Sequence, residues 1–97
     1  SIDGIIVTSI ITTVNEMEQT RDEKIALILA KHDPMNIAFN ERDDVAYDLE
    51  ASDINQQWYK YDNKTDLIQG ILEFWFGNKI DDVIIQQIVE DIKPLFA

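Results

Sequence analysis

The stretch TDLIQGILEFWFGN, residues 65–78, decides how this chain folds. Leu67, Ile71 and Trp75 recur four apart and form one row on a helix, with Ile68, Leu72 and Phe76 in the row beside it. A helix apolar around so much of its girth belongs at the centre of a fold, with other helices covering it. Thr65 is expected to cap its start, and Gly77-Asn78 to stop it, since glycine readily takes the left-handed conformation that closes a helix.

Working outward, residues 80–93 carry Ile84, Ile85, Ile88, Val89 and Ile92 as one apolar stripe, with Gln86, Gln87, Glu90 and Asp91 opposite. Pro94 ends that helix, and Leu95 and Phe96 are expected to pin the tail. Toward the N-terminus, Thr20-Arg21-Asp22-Glu23 is a capping box, in which the Thr20 hydroxyl accepts from the Glu23 amide while Glu23 reaches back. The helix it opens sets Ile25, Ile28, Leu29 and His32 on one face and ends at Asp33-Pro34. That pair can also start a new helical turn, with Asp33 as cap and Pro34 first, turning Met35, Ile37, Ala38 and Phe39 inward.

The polar middle is harder to read. Asp43-Asp44 before Val45, Ala46, Tyr47 and Leu49 suggests a short helix with acids in its first turn, where the helix dipole favours them. Ser52 or Asp53 is expected to cap another through Trp58, Tyr59 and Tyr61, with a turn at Asp62-Asn63-Lys64. Residues 2–19 are ambiguous. Ile6, Ile10, Val14 and Met17 share a helical face, yet residues 5–14 are dense in β-branched side chains. Helix is preferred, because a strand would find few partners in the chain. The expectation is therefore an all-α, compact single-domain bundle of four to six helices over residues 1–97. An α+β fold is the alternative if residues 5–14 form a strand.

Composition limits the function. Ninety-seven residues bury a modest core. Without cysteine there is no thiol nucleophile, thiolate metal site or disulfide framework. His32, the single histidine, would need an orienting partner and a nucleophile nearby to catalyse, and a histidine near a helix end more often meets the dipole or packs its ring. A calcium loop at Asp62 fails because Lys64 stands at a ligand position and Leu67 where the turn glycine belongs. An acyl carrier's Asp-Ser-Leu is absent, since Ser52 precedes Asp53 instead of following it. No catalytic residue, metal ligand or cofactor site is expected, and the chain does not read as an enzyme.

Nineteen carboxylates against eight Lys and Arg give a net charge of −11, which repels nucleic acid and anionic membrane and draws in cationic surfaces. The apolar run at residues 4–11 is too short for a membrane span and lacks a basic flank, so a cytoplasmic protein is expected. Residues 41–66 concentrate the acids among Tyr and Trp side chains, which suits a Lys- and Arg-bearing partner surface. The partner-binding candidates are Asp43, Asp44, Asp48, Glu50, Asp53 and Asp62, with Tyr59 and Tyr61. Asp44 and Asp48 are expected to share a helical face.

In size, charge and helicity the whole chain resembles the small acidic immunity proteins of bacterial toxin systems, of the contact-dependent growth inhibition and colicin types. The resemblance implies a stoichiometric inhibitor that binds and blocks a basic toxin domain, a nuclease by preference. An acidic DNA mimic or adaptor for basic nucleic-acid-binding proteins is the alternative. Neither reading fixes an oligomeric state.

Overall fold

In the computed structural model, residues 19–97 are described, and they form an all-α bundle. Four α-helices follow in order: α1 (Arg21–His32), α2 (Asp48–Gln57), α3 (Lys64–Phe76) and α4 (Asp82–Ile92). Short 3-10 turns extend α2 at Trp58–Lys60 and α4 at Lys93–Phe96. The expected segment at residues 2–19, helix or strand, lies outside the described residues except for Gln19.

Helix α1 begins where its capping residue places it. Thr20 is extended, and its Oγ1 accepts from the Glu23 amide at 3.2 Å. Asp22 and Glu23 occupy the first turn and Lys31 the last, each with the sign the dipole favours. Ile25, Ala26, Leu29 and Ala30 are buried along one side. Asp33 then turns left-handed with φ 43°, and its amide closes the last turn on the Leu29 carbonyl.

No helix follows until Asp48, so the two helical starts expected at Asp33-Pro34 and Asp43-Asp44 are corrected. Two carboxylates fold this connection. Asp33 Oδ1 accepts from the amides of Ile37 and Ala38 and from the Tyr47 hydroxyl at 2.9, 3.0 and 2.7 Å. Asp43 accepts from the amides of Phe39, Val45 and Ala46 at 2.8, 3.2 and 3.1 Å. Amides taken by side chains leave no i→i−4 ladder to propagate, so each aspartate makes a turn instead of a helix. Met35 and Ala38 still pack on the core, while Ile37 and Phe39 face outward.

Helix α2 runs through Ser52 and Asp53 without a break, so neither of them is a cap. The 3-10 turn after it is closed by Lys64, whose ammonium donates to the carbonyls of Trp58 and Tyr61. Helix α3 starts one residue before its expected cap. Asn63 Oδ1, not Thr65, accepts from the Asp66 amide at 3.1 Å. Gly77 at φ 75° stops α3 as expected, and Asp81 caps α4 through the Val83 amide at 2.8 Å. Between the two, Gln69 holds both backbone groups of Ile80, donating to its carbonyl at 2.6 Å and accepting from its amide at 2.9 Å.

Helix α3 buries Leu67, Ile68, Ile71 and Leu72 against α2 and α4, but α1 packs on α2 and α4 in the same way. Helix α3 is thus one side of a shared core, and the central place expected for it is corrected. Each of these buried side chains contributes about 1.5–3 kcal/mol. Tyr47 and Trp58 complete the core. Gly70 is the exception within α3. A glycine in a helix interior is roughly 1 kcal/mol less favourable than alanine, and a Cβ placed here meets open space among the described residues.

Candidate functional site

Three aromatics in succession, Phe74, Trp75 and Phe76, cannot all face one core, because each helical residue is turned about 100° from the last. Phe76 turns inward and meets Tyr47 edge-on at 5.9 Å, while Phe74 stays 80% exposed and Trp75 is 40% exposed. Trp75 leans toward α2 and donates its indole N–H to Asp53 Oδ2 at 2.7 Å. Phe74 stands edge-on to it at 5.7 Å.

Beside these rings α2 and α3 leave a groove of about 360 Å³. Leu67, Gly70 and Ile71 form its floor, and Phe74 and Tyr61 contribute aromatic walls. Asp53 from α2 and Asp66 from α3 supply its charge, and no Lys, Arg or His lines it. Asp66, Gly70 and Phe74 are spaced four apart, so they run as one stripe along α3.

The eight sequence candidates separate. Asp53 and Tyr61 meet at this groove. Asp44 and Asp48 are exposed near the start of α2, but only Asp48 is helical, so their expected shared helical face does not form. Asp43 is occupied in its loop, where the Phe39 amide first, with the Val45 and Ala46 amides, holds its carboxyl below the usual range against the cost of burial. Tyr59 is exposed, yet its hydroxyl donates to the Phe96 carbonyl at 3.0 Å. Asp62, next in the chain to Tyr61, lines a separate, wider cleft of about 1010 Å³. That cleft mixes Lys31, His32, Lys64 and Lys93 with Asp62, Glu90 and Asp91, so it has no single sign to recognise.

Glu50 corrects the candidate set. It lies on the inner side of α2 and is 5% exposed, out of reach of a docking surface. Burial pushes its carboxyl up, its own amide opposes, and Asp48 and Asp53 push further in the same direction. A raised native value means that this group favours folding below the unfolded carboxyl's 4.5 and that the benefit is lost as pH rises through the native value. Glu50→Gln is therefore expected to melt higher than the parent at pH 7, with the gap closing below pH 4.5. Thermal unfolding at the two pH values measures this, and a lower melting point at pH 7 would contradict it.

His32 meets a carboxylate. Its Nε2 lies 2.7 Å from Asp91 Oδ2, joining the C-terminal ends of α1 and α4. Among the described residues no three His, Asp or Glu side chains converge as metal ligands, and no helix is long and apolar enough to cross a membrane.

Residues 41–66 thus supply half of the groove. Asp66 lay within that window without being singled out, whereas Gly70, Phe74 and Trp75 were missed because their helix reads as core. The signal that finds them is the aromatic triplet together with a mid-helix glycine. Comparison with protein families, curated proteins and solved structures returns no match for this chain.

Proposed function

We propose that this chain is a stoichiometric inhibitor that binds a basic protein in the cytoplasm, a toxin domain of the nuclease class by preference, and blocks its phosphate-attracting cleft. The observation that carries the reading is the α2–α3 groove, apolar at its floor and lined by carboxylates without a base, on a chain of net charge −11. Apolar floors supply contact energy, and a surrounding field of one sign speeds encounter with the opposite sign. Asp44 and Asp48, exposed at the approach to α2, extend that field.

The test is complex formation with a basic toxin domain encoded beside this chain, followed by an assay of the toxin's nuclease activity. A one-to-one complex and loss of activity are expected. Asp44→Lys with Asp48→Lys should slow association by about tenfold at low salt and leave helicity unchanged. No complex at low salt, where attraction between opposite charges is strongest, overturns the proposal. Capture of many unrelated DNA-binding proteins, all released by moderate salt, would favour the DNA mimic instead.

A further inference from the structure

Resting on that reading, we infer that the α2–α3 groove receives one cationic amphipathic helix of the partner, laid along α3 with its closest approach at Gly70. Gly70 is the point where a neighbouring backbone can come nearest, since no side chain stands there and nothing among the described residues fills the space a Cβ would take. Phe74 and Tyr61 then flank the incoming helix with apolar surface. Asp66 lies one turn before Gly70 on the same stripe, and Asp53 lies across the groove, so Lys or Arg side chains leaving the helix on either side meet a carboxylate.

The form of the occupant follows from backbone hydrogen bonding. The described residues contain helices and turns but no strand, so the groove offers no sheet edge to an extended segment. A helix brings its own backbone bonds satisfied and needs only an apolar face of i, i+4 spacing to match the stripe on α3.

Charge selects among the sources of such a helix. The groove holds two carboxylates and no base. Residues 1–20 of this chain carry Asp3, Glu16 and Glu18 but no Lys or Arg, so their apolar residues cannot bring the complementary charge. A second copy arrives with a net charge of −11 and is repelled at long range. A basic partner alone satisfies both the floor and the rim.

The experiment uses the full chain and three synthetic helical peptides of alanine and leucine, bearing arginine, glutamine or glutamate at the same flanking positions. Titration is followed by the amide signals of Gly70, Asp44 and Asp48 and by the indole N–H signal of Trp75, which also reports in variants at position 70. The arginine peptide is expected to shift both, and to bind about tenfold or more tightly than the glutamine peptide, with the glutamate peptide weakest. Gly70→Leu fills the floor where there is room, and should weaken the arginine peptide by about tenfold or more. Gly70→Ala, smaller and favourable to the helix, shows that any loss comes from filling the groove and not from unfolding.

Arginine-peptide shifts confined to Asp44 and Asp48, with no effect of Gly70→Leu, would overturn the groove assignment and leave the basic-partner reading standing. Equal binding of all three peptides at Gly70 would overturn the cationic occupant, and the basic-partner reading with it. No binding of any peptide overturns the groove assignment. A groove signal that appears only on raising the chain's own concentration would replace the partner with a second copy.

Discussion

Tyr47→Ala is expected to cost about 3–5 kcal/mol, the range for removing a large buried aromatic. A domain of this size has total stability of about 5–15 kcal/mol, so the variant should be partly unfolded under ordinary conditions. Tyr47 is fully buried, its ring meets Phe76, and its hydroxyl donates to Asp33 while accepting from the Met35 amide at 3.1 Å. One side chain thus ties the start of α2 to the end of α1. Tyr47→Phe separates the two contributions. It keeps the ring and should lose about 1–2 kcal/mol through the unpaired Met35 amide and the donor withdrawn from Asp33.

The same pair predicts acid sensitivity. Burial raises the Asp33 carboxyl, but the Tyr47 hydroxyl and the amides of Ala38 and Ile37 outweigh it and hold the net value below 3.8. A depressed native value contributes stability that is present above the unfolded 3.8 and is lost as pH falls through the native value. Burial and Asp33 push the Tyr47 phenol up, so it stays a donor throughout this window. Urea melts from pH 7 down to pH 2 should show a smaller acid loss in Tyr47→Phe than in the parent. An alanine variant within about 1 kcal/mol of the parent would remove Tyr47 from its central role.

The Asp33 network also explains why part of the fold was legible in the sequence and part was not. Thr20, Gly77 and the isoleucine stripe of α4 each admit one local solution, and each appears where the pattern puts it. An aspartate followed by amides three to five residues on is ambiguous, because the same carboxylate can cap a helix or bind a turn. At Asp33 and Asp43 the turn wins. For Asp33 the deciding contact is Tyr47, fourteen residues away and therefore invisible to a local pattern. Asp53 misled in the opposite direction, since a good capping residue can also sit on the outer side of a continuing helix, here bonding Trp75.

The candidate site was half legible for a related reason. Acid and aromatic density in residues 41–66 marks a region but not which members point outward. Glu50 and Asp53 are three apart on one helix, yet Glu50 is turned into the core while Asp53 reaches the groove. The other wall comes from α3, whose apolar rows read as pure core until the packing leaves Phe74 outside.

Trp58→Ala is the second large effect, expected at about 3–5 kcal/mol and reaching beyond its own cavity. Trp58 is 4% exposed and stacks on Phe96 with ring centres 4.5 Å apart and planes at 23°. Lys64 places its ammonium 4.9 Å from the indole centre while it closes the carbonyls of Trp58 and Tyr61. Phe96 is held in addition by Tyr59, edge-on at 5.7 Å, and by Arg21, whose guanidinium lies 4.4 Å over the ring. Loss of the indole therefore loosens the C-terminal turn and the start of α1 together. It also removes the ring beneath the Lys64 ammonium, leaving only the two carbonyls to hold the side chain that orders the segment carrying Tyr61. Phe96→Ala should cost less than Trp58→Ala because Phe96 is only partly buried. A double-mutant cycle between the two is expected to return a coupling of about 0.5–1.5 kcal/mol for the stacked pair. Zero coupling would mean that the C-terminal turn docks independently of Trp58. Trp58→Ala would then act through its cavity alone, leaving the indole signal of Trp75 at the groove unchanged.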